Sequence, residues 1–167
     1  MWNAGGVQMR YVLGAPGVGK TTALPLLPGR LPGWVVLDWD WLMPAAVGLT
    51  GRSISEHQEL WAPYTELVRS VVAGLDPVPT LLTTVCTPAE LDPLQGGWPE
   101  GEWLLLDCDD EERVRRLRFR GEPEAGVIAA VADAAEYRAL GLSHVDTRDR
   151  SVAEVADAID AWALTRA

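Results

Sequence analysis

The stretch GAPGVGKT, residues 14 to 21, constrains this chain more than any other. It follows the apolar run QMRYVL (8–13), which reads as a strand, and it precedes a helical pattern that starts near Gly19 and stops by Pro28. A strand, a glycine-rich turn and a helix in that order begin a βαβ unit, and therefore a parallel sheet covered by helices. Gly14, Gly19, Lys20 and Thr21 fill the pattern G-x-x-x-x-G-K-[ST] in full. Glycines at those positions let the backbone curl until successive N–H groups point inward and form an anion nest. The following helix adds its positive end. Of the 14 positions that carry Lys or Arg, Lys20 is the only lysine. A compact ammonium on a flexible stem suits a phosphate, where a planar guanidinium suits carboxylates. The plain alternative is a glycine-rich turn with a surface lysine. The flanking strand and helix favour the nest.

Strand-like and helix-like patterns alternate along the rest of the chain. Further strands are expected at WVVLD (34–38), PTLLTTV (79–85), WLLLD (103–107) and SHVD (143–146). Ser53 and Glu56 suggest a capping box opening a helix to about Leu75, with Pro63 kinking or splitting it. Thr87, Pro88 and Glu90 mark a short helix. DDEERVRRLRFR (109–120) is a helix with acids first and bases after, and Glu111–Arg115 and Glu112–Arg116 are its expected i,i+4 pairs. Another helix runs from about Glu124 to Leu140, and Ser151 with Glu154 caps the last one. Pro25 and Pro28 make the helix after the phosphate loop short or bent. GLTGRS (48–53) and QGGWPEG (95–101) read as mobile loops. The whole forms one α/β domain over 1–167.

Composition excludes several classes of function. At a formal net charge of −10 the surface repels nucleic acid and anionic membranes. No apolar run reaches membrane-spanning length, and the start has no signal-peptide pattern. Cys86 and Cys108 read as buried thiols, with neither disulfide nor metal spacing. A cytoplasmic protein acting on a small molecule is expected.

The nest alone names no reaction. A GTPase reading guanine with Asn-Lys-x-Asp is excluded, because the only lysine is already used. An AAA-type or motor ATPase is imitated by LLLDCDDEE (104–112), with Asp107 after the strand. The runner-up is therefore a regulatory module that hydrolyses ATP slowly and signals through a protein partner. A small-molecule kinase needs carboxylates near the γ-phosphate, and VVLDWDW supplies Asp38 and Asp40. In an extended segment residues i and i+2 point the same way, so both face the cleft at the strand's carboxyl end. Asp38, with Thr21, is assigned to Mg²⁺ and Asp40 to the acceptor hydroxyl. Trp39 and Trp41 read as packing residues, or as walls for an aromatic or sugar acceptor. Arg113, Arg116 and Arg120 share one helical face suited to the charge of a transferring phosphoryl group.

With those residues in place, the chain resembles the P-loop kinases of the nucleoside-monophosphate and shikimate kinase type. Among them it looks most like the small kinase-like ATP-binding proteins labelled AAA-family ATPases. The likeness rests on GAPGVGKTT (14–22), LDWDWL (37–42), DDEERVRRLRFRG (109–121) and HVDTRDRSVAEVADAIDAW (144–162). Chloramphenicol phosphotransferase is similar, with its base aspartate where Asp40 stands. The resemblance implies a three-layer P-loop fold with a five-stranded parallel sheet ordered 2-3-1-4-5. It implies ATP and Mg²⁺ as cofactors and a short arginine-bearing lid near 113–140. The implied catalytic residues are Lys20, Asp40, Arg116 and Arg120, with Arg138 as a further lid candidate. The implied nucleotide contacts are Gly14, Ala15, Pro16, Gly17, Val18, Gly19, Lys20, Thr21 and Thr22, with Thr147 and Arg148 on the base or ribose. Arg52, Arg69 and His57 are the candidates near the acceptor, each with a solvated-surface alternative.

Overall fold

The computed structural model describes residues 8–165. Five strands, β1 (Met9–Leu13), β2 (Val35–Asp38), β3 (Thr80–Thr84), β4 (Gly101–Asp107) and β5 (His144–Asp146), form one sheet. Every pairing is parallel and the order is β2-β3-β1-β4-β5, as expected. A central strand of such a sheet is covered on both faces, and β1 is buried at all its positions. Alternation divides the core. Val12, Leu104 and Leu106 pack on one face with Leu24, Leu27, Val155 and Ile159. On the other face Met9, Tyr11 and Leu82 pack with Trp39, Tyr64, Val68 and Trp98, while Leu13 and Leu105 meet Ala134 and Tyr137.

Register places the chemistry. Leu13 lies opposite Thr84 on one side and Leu105 on the other, so the loop after β1 emerges between the ends of β3 and β4. Asp38 lies opposite Thr83, and Asp107 opposite Asp146. The carboxyl ends of all five strands thus share one edge, where open α/β sheets hold ligands.

The segment after the phosphate loop is broken, as its prolines predict. It runs as α1 (Lys20–Ala23), a 3₁₀ turn (Leu24–Leu26) and α2 (Leu27–Arg30). Pro25 and Pro28 each sit in the first turn of a new piece, where no backbone N–H is missed. The break still delivers Ala23, Leu24, Leu27 and Leu31 to the core.

Four local expectations need correction. A helix absent from the sequence reading, α3 (Met43–Thr50), follows β2 and occupies part of the expected loop at 48–53; it ends at Gly51 in the left-handed region, φ 67°. The Ser53–Glu56 capping box does not open a helix. The next helix, α4 (Trp61–Gly74), starts later, which leaves Pro63 in its first turn and removes the need for a kink. Thr87–Glu90 stays a single turn, closed by Glu90 Oε2 accepting from the Thr87 backbone N–H (2.6 Å) and hydroxyl (2.9 Å). Pro93 then starts α5 (Pro93–Gly96).

The acidic-then-basic helix forms as α6 (Asp110–Phe119), with Asp109 Oδ1 accepting the Glu112 N–H at 2.8 Å. Its internal ion pairs are Glu112 with Arg116 (2.7 Å), as expected, and with Arg115 (2.6 Å), which replaces the expected Glu111–Arg115 pair. The stretch expected to form a lid is mostly two packed helices, α6 and α7 (Glu124–Ala139), joined at residues 120–123 over a small core of Leu117, Val127 and Ala130. The last helix, α8 (Val152–Ala163), carries the full Ser151–Glu154 capping box. No helix among the described residues is long and apolar enough to cross a membrane. Cys108 is buried and Cys86 half-buried, both as free thiols.

Candidate active site

The loop from Gly14 to Gly19 is shaped by its glycines. Gly17 (φ 85°) and Gly19 (φ 100°) are left-handed, a conformation that side chains resist. A Cβ on Gly14 would lie 2.8 Å from Val18 Cγ1 and 3.0 Å from the Leu106 carbonyl. One on Gly19 would meet nothing within 4 Å, because that side opens onto the site. Among the described residues, the N–H groups of Gly17, Gly19, Lys20 and Thr21 have no acceptor. These four free donors suit an anion nest. With only four residues in α1, the amides themselves, rather than a long helix dipole, are what the loop would offer an anion. A cavity of about 120 Å³ lies over the loop. Its lining runs from Ala15 through Thr22 and includes Asp38, Trp39, Asp40, Thr84 and Val85.

Lys20 folds back over the loop and donates to the Gly14 carbonyl. Loss of water pulls its ammonium down to about 8, with Asp38 and Asp40 opposing and the positive charges of Arg113 and Arg120 assisting. The charged form is therefore disfavoured in the free fold. That cost to stability is present below about pH 8 and is relieved as pH rises beyond it. A bound polyanion reverses the preference. Affinity for ATP is expected to be highest below pH 8 and to fall above it, with net proton uptake by Lys20 on binding only above about pH 8, where the free ammonium has lost its proton. Calorimetry in buffers of different ionisation enthalpy measures the uptake directly.

Asp38 and Asp40 line the same cavity, but not through strand alternation. β2 ends at Asp38, and Trp39–Leu42 form a 3₁₀ turn. Asp38 caps that turn, its Oδ1 accepting the Asp40 N–H at 3.2 Å. Its Oδ2 has no hydrogen-bond partner among the described residues and, although Asp38 is only 7% exposed, that oxygen keeps contact with solvent. Asp40 is more open, yet its carboxyl is raised above the ordinary range by loss of water and by the Asp38 charge, with Lys20 opposing. Trp39 is core, against Tyr64 and Trp98. Trp41 is half-exposed.

The three arginines expected on one face have different surroundings. Arg113 is completely buried; it donates to the Pro16 carbonyl (2.9 Å) and pairs with Asp107 (2.6 Å). Arg116, expected beside the transferring phosphoryl group, has its guanidinium committed elsewhere. It holds Glu112, the Val18 carbonyl (3.3 Å), and the hydroxyl (3.1 Å) and carbonyl (2.9 Å) of Thr147. Only Arg120 of the three is exposed and without a side-chain partner among the described residues, and its charge is felt by Lys20. Arg138 pairs with Asp107 (2.6 Å) and Asp110 (2.8 Å).

Thr147 is buried and donates to the Val18 carbonyl at 3.0 Å, so the β5–α8 connection is fastened to the phosphate loop. Arg148 pairs with Asp109 at 2.9 Å. On the acceptor side, Arg52 is paired with Glu59 (2.7 Å) and Arg69 with Glu66, and His57 Nδ1 lies 2.8 Å from the Ser53 carbonyl. Thr84 and Val85 line the cleft and were not among the expected residues. Only the neighbouring of β3 and β1 brings them there.

A five-stranded parallel sheet in this order, with a phosphate loop after its central strand, is the P-loop kinase fold. No family model matches the sequence, and no curated protein matches it. Solved structures do. The tunicamycin resistance protein of Deinococcus radiodurans superposes with a TM-score of 0.69 at 22% identity, covering 96% of this chain and 97% of that one. A gluconokinase from Sinorhizobium meliloti 1021 gives 0.66 at 16% identity, covering 93% and 91%. A shikimate kinase from Bacteroides thetaiotaomicron gives 0.62 at 18% identity, covering 93% and 97%.

Proposed function

We propose that this protein is an ATP- and Mg²⁺-dependent kinase that moves the γ-phosphoryl group to a hydroxyl or phosphate of a small molecule: a nucleoside or nucleotide, a sugar or an antibiotic-like alcohol. The observation that carries this reading is the meeting of the Lys20 nest with Asp38 and Asp40 in one cavity. A gluconokinase and a shikimate kinase share this fold, which supports the same reading.

The loop amides and Lys20 hold the β- and γ-phosphates. The Thr21 hydroxyl and the partnerless oxygen of Asp38 are hard donors, and they fit a magnesium ion held chiefly by phosphate oxygens. When bound, that ion neutralises charge on the β- and γ-phosphoryl oxygens. Asp40 orients the acceptor hydroxyl and takes its proton. Arg120 meets the charge on the transferring group. Arg116, anchored to Val18 and Thr147, acts by holding the loop against the β5–α8 connection; Thr147, expected on the base or ribose, is buried with its hydroxyl committed to that anchor, which leaves the exposed Arg148 as the contact there. Asp107 has both oxygens occupied by Arg113 and Arg138, so nothing favours it as the metal-side carboxylate of a motor-type ATPase.

The test is ATP consumption with and without a panel of nucleosides, nucleotides, sugars and aminoglycoside- or phenicol-like alcohols. Acceptor-stimulated turnover is the expected result; slow hydrolysis that no acceptor changes identifies a regulatory module instead. For a productive acceptor, kcat/KM rises with pH as Asp40 ionises above the ordinary carboxylate range. It falls above about pH 8 as Lys20 loses its proton.

A further inference from the structure

The phosphate loop is gripped from behind. The carbonyls of Ala15 and Pro16 accept from Arg113 Nη1 at 3.5 and 2.9 Å. The carbonyls of Gly17 and Val18 accept from Arg116 Nη1 at 3.5 and 3.3 Å, and Val18 accepts also from Thr147. A trans peptide is planar, so its C=O and N–H point in opposite directions. Fixing the Pro16 carbonyl outward therefore aims the Gly17 N–H inward, and fixing the Val18 carbonyl aims the Gly19 N–H inward. Those are two of the four donors of the nest.

We infer that Arg113 is a positioning residue: its buried guanidinium orients the phosphate-loop amides from the side opposite the nucleotide. The inference rests on the kinase reading only in that the loop binds a nucleotide. Arg113 is fully buried, and its Nη2 is held by Asp107 (2.6 Å) and the Cys108 carbonyl (3.3 Å), so the loop is tied to the end of β4. Asp107 is in turn held by Arg138. Gly17 packs directly on this side chain, since a Cβ there would lie 3.3 Å from Arg113 Cγ. Burying an ion pair is a poor way to gain stability, because apolar side chains of similar volume often do as well. One guanidinium nitrogen, Nε, even has no hydrogen-bond partner among the described residues. What an apolar replacement would not supply is two donors aimed at the loop.

The experiment compares wild type with Arg113→Met and Arg113→Lys, using calorimetry with ATP and Mg²⁺ and with tripolyphosphate, and urea unfolding of each protein. Arg113→Met is expected to fold and to raise Kd by roughly 10- to 100-fold, as loss of preorganised donors does. Arg113→Lys retains the charge but not the fork, and should recover only part of the affinity. A second readout separates positioning from bulk stability: a loss of aimed loop donors weakens inorganic tripolyphosphate by about the same factor as ATP, under conditions where urea unfolding shows the variant fully folded. If Arg113→Met does not fold, Arg113→Lys carries the test through its Kd. A folded variant that binds ATP and tripolyphosphate like wild type overturns the inference alone. A wild-type protein that binds no nucleotide overturns the kinase reading and the inference together.

Discussion

Replacing Lys20 by methionine is expected to abolish nucleotide turnover while leaving the free protein as stable as before, or more so. The two effects have opposite signs for one reason. In the free fold the ammonium is desolvated strongly enough to bring it down to about 8, so its charge is held at a cost to stability. Methionine keeps the apolar stem and removes the charge. A triphosphate needs that charge, and removal of one preorganised electrostatic contact costs on the order of 10² to 10³ in rate. Loss of ground-state phosphate binding adds to it. Lys20→Arg should fail nearly as badly, because a guanidinium fork is bulkier in a cavity of about 120 Å³ and cannot act as a compact point charge. Thermal unfolding with calorimetric titration of ATP and Mg²⁺ separates the effects. Retained binding and turnover in Lys20→Met would show Lys20 to be an ordinary surface residue of a glycine turn.

How much of this was legible in the sequence depended on the range of the interaction. The sheet and its βα alternation were readable because apolar runs and caps are local signals, and the proline breaks after the loop followed from missing N–H groups. Helix α3 escaped because MPAAVGLT has no polar face, so periodicity gave nothing to detect. Asp38 and Asp40 line one cavity, but a capped 3₁₀ turn, not the expected strand alternation, brings them there. The arginines mark the limit. Helical spacing predicts Arg113, Arg116 and Arg120 on one face, but spacing does not say what lies opposite. The loop carbonyls and Thr147 lie there, so two of the three serve the loop's outer side. Thr84 and Val85 were invisible for a related reason, since their place in the cleft is set by strand order alone.

The two aspartates are separable by experiment, and the outcome fixes their order. In Asp40→Asn the nucleotide loses a negative neighbour, so ATP binding holds or tightens. Phosphorylation of the acceptor identified in the panel falls by on the order of 10² to 10⁴-fold, the range for a lost general base. In Asp38→Asn the amide oxygen still accepts the Asp40 N–H, so the turn that positions Asp40 survives. The second oxygen becomes an amide nitrogen, which does not ligate magnesium, and the Mg²⁺ concentration for half-maximal rate rises at least about tenfold. Each substitution also removes a like charge from the other carboxyl. In Asp38→Asn, therefore, the acid limb of kcat/KM shifts to lower pH, because the Asp38 charge is one cause of the raised Asp40 carboxyl. Asp38→Asn thus reports twice, through the metal and through the pH profile, whereas Asp40→Asn reports through acceptor chemistry alone. Exchanged phenotypes would exchange the roles. Two variants that both turn over at wild-type rates would remove the pair from the mechanism and leave the phosphate loop as a nucleotide grip without a kinase behind it.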